Sequence, residues 1–213
     1  MNFVLTPGET ETGFLTLQPQ EFVYVNPAHI LSHDPTLDLD QGAPNWMPQP
    51  MQKLIAKSGS EPIMKAAYGK GQAILTTGFP GKLTLHRLPG NFRVRSGALV
   101  ARDSTIGRKS SQSFSLNQQL VELEGDGDLL LATRGSLILI ELDFDQIQHV
   151  SAFNFVGIAG RASIKLSRYP ARVDAKSRQW SPTFHVVTGP GTIWMQSQSE
   201  PVLPYQLRKV GKK

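Results

Sequence analysis

Along Phe92-Arg93-Val94-Arg95 and again along Ile164-Lys165-Leu166-Ser167, apolar residues alternate with basic or polar ones. Successive side chains of a strand point to opposite faces, so each segment predicts a strand with one apolar and one polar face. The arginines are expected at solvent or against a partner. Leu129-Leu130-Leu131 and Leu137-Ile138-Leu139-Ile140 are instead apolar at every position. That is the pattern of strands covered on both faces, and a second sheet or a subunit is expected over the outer one. Glu21-Phe22-Val23-Tyr24-Val25 predicts a further strand, ending at the Asn26-Pro27 turn.

One phrase occurs three times: Leu75-Thr76-Thr77-Gly78-Phe79-Pro80-Gly81-Lys82-Leu83, Leu131-Ala132-Thr133-Arg134-Gly135-Ser136-Leu137-Ile138, and Val187-Thr188-Gly189-Pro190-Gly191-Thr192-Ile193-Trp194. In each, an apolar strand runs through a Thr into a tight Gly-containing turn and a second strand, which predicts a hairpin with a buried face. Spacing of roughly 55 residues points to stacked or rotated repeats. The openings recur as well, with Val25 over Val94, Ile30 over Leu99, Leu31 over Val100 and Asp34 over Asp103; a third opening around Ile147 to Val156 is degenerate. The expected organisation is a lead-in at 1–16, a single all-β domain at 17–199 made of units 17–88, 89–142 and 143–199, and a basic tail at 200–213. The stretch at 41–50 is too rich in proline for regular structure; it predicts a surface excursion with Trp46 and Met47 as a protein-contact point, backed by a short helix at 51–57.

Composition narrows the function classes. The 213 residues suffice for a sizeable core, and 39% hydrophobic with 18% charged residues lies in the globular range. Cysteine is absent, which excludes disulfides, thiol catalysis and Cys-ligated metals and fits a reducing compartment. A net charge of +5 raises the prospect of a polyanionic partner, with Arg93, Arg95, Arg102 and Arg161 as the candidate contact surface. No stretch approaches the ~18 apolar residues of a membrane-spanning helix. The first residues have neither a basic n-region nor a long apolar h-region, so a cytoplasmic location is expected.

Motifs for chemistry are missing. His29 and His33 with Asp34, Asp38 and Asp40 have metal-binding composition, but on a strand the two imidazoles would stand nearly two pleats apart, and the second unit has Ala98 and Arg102 in their places. His86, His149 and His185 are isolated, without the His-x-His of a cupin. Glu122, Glu124, Asp126 and Asp128 lack the spacing of a calcium loop, Gly107-Arg108-Lys109-Ser110 lacks the order of a phosphate-binding loop, and there is no Gly-x-Ser-x-Gly elbow. No catalytic, cofactor or metal residue is assigned.

The closing phrase Thr188-Gly189-Pro190-Gly191-Thr192-Ile193-Trp194-Met195-Gln196-Ser197-Gln198-Ser199, with Ser96-Gly97-Ala98-Leu99-Val100-Ala101 and Thr77-Gly78-Phe79-Pro80-Gly81, resembles the altered-inheritance-of-mitochondria (Aim-type) family over roughly Leu17 to Ser199. That resemblance implies a compact all-β, TRAP-like (tryptophan RNA-binding attenuation protein-like) sandwich or barrel body with pseudo-threefold symmetry, without an established reaction or required cofactor. It also implies a mitochondrial alternative to the cytoplasm. Departures fall at Arg108 to Phe114 and around Asn154. The expected function is a non-enzymatic β-scaffold that self-associates as a homo-oligomer and mediates protein contacts, with a membrane-peripheral place open to it. The alternative is a module that binds RNA or anionic lipid through its arginines.

Overall fold

In the computed structural model the described residues are 2–6, 8, 11–40, 49, 64–88, 90–114, 118–168 and 183–199. Trp46, Met47, the predicted helix at 51–57 and the basic tail at 200–213 lie outside them. In the first part of the chain are β1 (Asn2–Thr6), β2 (Thr12–Leu17), β3 (Phe22–Val25), β4 (Ile30–His33), β5 (Leu37–Asp40), β6 (Lys65–Gly69), β7 (Gly71–Thr76) and β8 (Lys82–Arg87). The middle holds β9 (Phe92–Arg95), β10 (Leu99–Asp103), β11 (Gly107–Phe114), β12 (Gln118–Glu124), β13 (Asp128–Thr133) and β14 (Leu137–Leu142). The last part holds β15 (Ile147–Ser151), β16 (Phe155–Gly160), β17 (Ser163–Arg168), β18 (Thr183–Thr188) and β19 (Gly191–Gln196). Single 3-10 turns at Pro27–His29 and Ser96–Ala98 connect β3 to β4 and β9 to β10. Asn26 caps the first of them, its side-chain oxygen accepting from the Ala28 N–H at 3.1 Å.

The strands form four antiparallel sheets in the orders β1-β2-β7-β4, β5-β6-β3-β10-β13-β8, β11-β12-β9-β16-β19-β14 and β15-β18-β17. None of these closes into a barrel among the described residues, which corrects that part of the expected architecture; the all-β class stands. Three apolar clusters lie between successive sheets. Leu15, Leu17 and Leu75 of the first sheet pack with Val23, Val100 and Leu130 of the second. The other face of the second sheet, with Tyr24, Leu129 and Leu131, packs with Phe92, Val94 and Trp194 of the third. The third sheet in turn turns Leu120, Ile158 and Ile193 toward Val150 and Val187 of the last. Both six-stranded sheets are thus interior layers. That is why Leu129, Leu130 and Leu131 are all buried, as their unbroken apolar run predicts.

Several sequence expectations move. The stretch expected as a lead-in carries two strands: β1 and β2 pair in register, Phe3 opposite Leu15, and Leu15 is fully buried. The three Gly phrases do not occupy like places, because the first two lie between β7 and β8 and between β13 and β14, whereas the third lies between β18 and β19. Like turns to the third are Gly69-Lys70-Gly71 between β6 and β7 and Gly125-Asp126-Gly127 between β12 and β13. At Gly69 and Gly125 the backbone has φ of +112° and +128°, and an added Cβ would run into the carbonyl oxygen of Thr36 or Thr105. Only glycine takes that conformation beside so close a backbone. Finally, β14 is the edge of its sheet, and Ile138 and Leu139 on its opposite faces are both exposed, so its apolar run is not covered on two sides among the described residues.

Gly125→Ala is expected to destabilise the fold by about 1–3 kcal/mol through backbone strain. Gly97→Ala, where an added Cβ meets nothing within 4 Å, should move the thermal midpoint far less; melting curves of the two variants check this.

Candidate functional site

The four arginines of the candidate polyanion surface separate on folding. Arg102 is 1% exposed and Arg95 5%, so neither belongs to a surface. This corrects the expectation that the polar face of β9 meets solvent, and the cause is the layer order: that face looks into the cluster between the third and fourth sheets. Arg102 sits in β10 opposite Tyr24 of β3, with its guanidinium carbon 3.8 Å from the centre of the Tyr24 ring, and it donates to the Ile106 carbonyl. A planar cation over an aromatic face offsets part of the cost of taking the charge out of water. Arg93 is half-buried and donates to the Ala162 carbonyl. With Ser110, Leu120 and Glu122 it lines a cleft of about 40 Å³, where Ser110 Oγ donates to Glu122 Oε2 at 2.7 Å. Arg161 alone of the four is exposed.

The histidines divide in the same manner. His29 is buried with Nδ1 2.9 Å from the Thr76 carbonyl, and His33 is exposed with Nδ1 2.9 Å from the Asp34 carbonyl. Asp34 accepts from the Gln72 N–H at 2.8 Å. These groups serve turns rather than one another, and among the described residues no group of three His, Asp or Glu side chains is placed to hold a metal ion. His185 of β18 is 1% exposed, edge-on to Phe155 at 4.9 Å. Burial, and then the charge of Arg95, push its pKa down to about 4. His86 is also lowered by burial, and it stands edge-on to Trp194 at 4.8 Å.

Sequence reasoning missed the polar knot made by the closing phrase. Gln196 is buried; its Nε2 donates to the Phe153 carbonyl at 3.1 Å and its Oε1 accepts from the Arg134 N–H at 3.1 Å. Asn154 Nδ2 donates to the Gln196 carbonyl at 2.9 Å, and Ser197 Oγ accepts from the Ser136 N–H at 2.9 Å. One glutamine thus ties the end of β19 to the turn after β13. The signal available was a polar residue in an apolar strand. Apolar side chains also stand exposed, among them Leu31 of β4, Ile138 and Leu139 of β14, Phe144 between β14 and β15, and Ile147 at the start of β15.

The family model described as Mitochondrial biogenesis AIM24 matches residues 7–198. The chain belongs to the AIM24 family. In fold it is similar to the crystal structure of protein SPYM3_0169 from Streptococcus pyogenes, with a TM-score of 0.73 and 18% sequence identity over 93% of this chain and 94% of that one. No curated protein matches the chain. The AIM24 match takes in β2 and ends at the closing phrase, whose residues here make structural hydrogen bonds. Among the described residues no helix is long and apolar enough to cross a membrane.

Arg102→Ala is expected to cost about 2–4 kcal/mol by emptying a packed site and removing the contact with Tyr24, against less than about 0.5 kcal/mol for Arg161→Ala at the surface; chemical denaturation of both variants reads the contrast. His185 sets a pH dependence of definite sign. The unfolded imidazole takes a proton below about 6.5, while the folded site resists one down to about 4. Stability is therefore full above pH 6.5 and falls as pH drops toward 4. A His185→Gln variant should show a shallower loss, read as thermal midpoint against pH.

Proposed function

We propose that this AIM24-family chain is a non-enzymatic β-scaffold that self-associates and mediates protein contacts. The observation that carries the reading is the placement of exposed apolar side chains on edge strands: Leu31 on β4, Ile138 and Leu139 on β14, Ile147 on β15. An edge strand with exposed apolar residues is a template for another chain unless a partner covers it. The reading includes an internal threefold repeat. Its support is the bulge near the start of β4, β10 and β16, together with the turns Gly69-Lys70-Gly71, Gly125-Asp126-Gly127 and Gly189-Pro190-Gly191 that each join a strand to the partner of a bulged one.

The alternative, an RNA- or anionic-lipid-binding module, keeps only Arg93 and Arg161 of its four arginines near the surface. We take the cytoplasm as the location, with the mitochondrion as the alternative that the family description suggests.

Light scattering of the full chain at low and high salt separates the two functions, with copurifying RNA and lipid assayed on the same sample. An oligomer free of both and stable to salt is expected. A monomer carrying nucleic acid or lipid that high salt strips away overturns the scaffold, because phosphate contacts weaken steeply with salt.

A further inference from the structure

Strands β2, β8 and β14 hold the same place in three like groups. The orders β4-β7-β2, β10-β13-β8 and β16-β19-β14 match, with the last-named strand outermost. In each group the middle strand begins at or just after a Gly-x-Gly turn, and the second glycine gives a common origin: Leu17 lies opposite Gly71 and Leu142 opposite Gly191. Counted back from there, Leu15, Phe14 and Gly13 of β2 correspond to Ile140, Leu139 and Ile138 of β14, and Thr16 corresponds to Glu141.

The three outer edges are finished differently. On β2 the edge is covered by β1, with Phe3 opposite Leu15, Val4 opposite Phe14 and Leu5 opposite Gly13, and Phe3 packs on the cluster between the first two sheets. β8 has no strand beyond it among the described residues, but it carries Lys82, His86 and Arg87, and charged side chains on an edge oppose further pairing. β14 has neither device. Among the described residues nothing pairs with its outer edge, its ladder to β19 runs without a bulge, and Glu141 is its one charged residue. Ile138 is 42% exposed and Leu139 51%.

We propose that β14 is the docking edge for an extended segment of a partner protein, added antiparallel in the register that β1 takes on β2. This rests on the protein-contact part of the reading above and names the chemistry of the partner. Three consecutive apolar residues of the segment lie opposite Ile140, Leu139 and Ile138. The residue before them lies opposite Glu141, and the chain before that approaches Asp143 and Asp145, both exposed. Opposite charges across strands attract and like charges repel, so the segment is led by lysine or arginine. Its first apolar residue is aliphatic rather than aromatic: a Cβ at Gly13 would stand 2.9 Å from the Phe3 ring, so Phe3 uses room that Ile138 fills on β14. Backbone hydrogen bonds to the edge supply affinity and these side chains supply selection. A second copy of β14 fits less well, because its run Leu137-Ile138-Leu139 is led by Ser136 rather than by a cation. Lys53-Leu54-Ile55-Ala56 of the chain itself has the right composition, but it is joined to β5 and β6 at the edge of the second sheet away from β8. β14 lies on the β8 side, where Trp194 of the neighbouring β19 meets His86.

The probe is a fluorescein-labelled peptide, Lys-Lys-Val-Val-Leu-Thr, titrated into the full chain to millimolar concentration and read by anisotropy, with Glu-Glu-Val-Val-Leu-Thr as its counterpart. The Lys-led peptide should bind and the Glu-led peptide should not. Glu141→Lys should weaken the first about tenfold and strengthen the second, because a cross-strand attraction becomes a repulsion. Glu141 is exposed, so the thermal midpoint should stay near that of wild type. Hydrogen exchange locates the contact: the alternate amides of β14 that point away from β19 should slow when the peptide is added, and those of β8 should not. If neither peptide binds, if binding is indifferent to Glu141→Lys, or if protection falls on another strand, the assignment of β14 is overturned, while an oligomer in light scattering leaves the scaffold reading standing. If those amides are already slow without peptide, the edge is occupied by a second copy when dilution frees them, or by the chain's own segment when Lys53→Glu does, and the proposal fails in either case.

Discussion

Two strand pairs, β3 with β10 and β9 with β16, bind together stretches of chain that are distant in sequence, and the rest of the architecture follows from them. A strand edge presents N–H and C=O groups that cannot be buried without partners. By pairing a strand of one region with a strand of the next, each joint turns two three-stranded blocks into one sheet that can be covered on both faces. Covering follows from the apolar clusters on either side of both sheets. Residues near the joints, Val25, Val94, Val100 and Val156, are accordingly among the least exposed in the chain.

The same constraint decides the electrostatics. Where both faces of a sheet are covered there is no solvent side, so a basic residue there must find partners inside. Arg102 does so with the Tyr24 ring and the Ile106 carbonyl, and Arg95 lies close enough to His185 for its charge to lower the imidazole pKa. Part of the net positive charge that suggested a polyanion partner is therefore internal. Charge in a sequence counts toward an external field only when the fold leaves it outside.

Much of the fold was legible. Alternation, turn residues and unbroken apolar runs marked strands at Phe92 to Arg95, Leu129 to Leu131 and Ile164 to Ser167, and the closing phrase marked the family that the chain matches. The candidate site was legible only in part. A Gly-containing turn announces itself locally but not which two strands it joins, so the phrases at Gly78, Gly135 and Gly189 look alike in sequence while the third joins a different pair of strands. An apolar run such as Leu137 to Ile140 reports that both faces of a strand lack polar groups; whether anything covers them depends on the place of the strand in its sheet, and β14 is at an edge.

By itself the sequence determined the class, the positions of most strands, the lack of any thiol chemistry and the family, because each rests on local periodicity, on residue identity or on short motifs. Only the tertiary structure decided the order of strands in the sheets, the burial of Arg95 and Arg102, the role of Gln196, and the two edges left unjoined at β4 and β15. The reason is physical. Side-chain alternation fixes which residues share a face, whereas what that face meets is set by hydrogen-bond pairing between segments far apart in the chain, and alternation within one strand does not encode its neighbour.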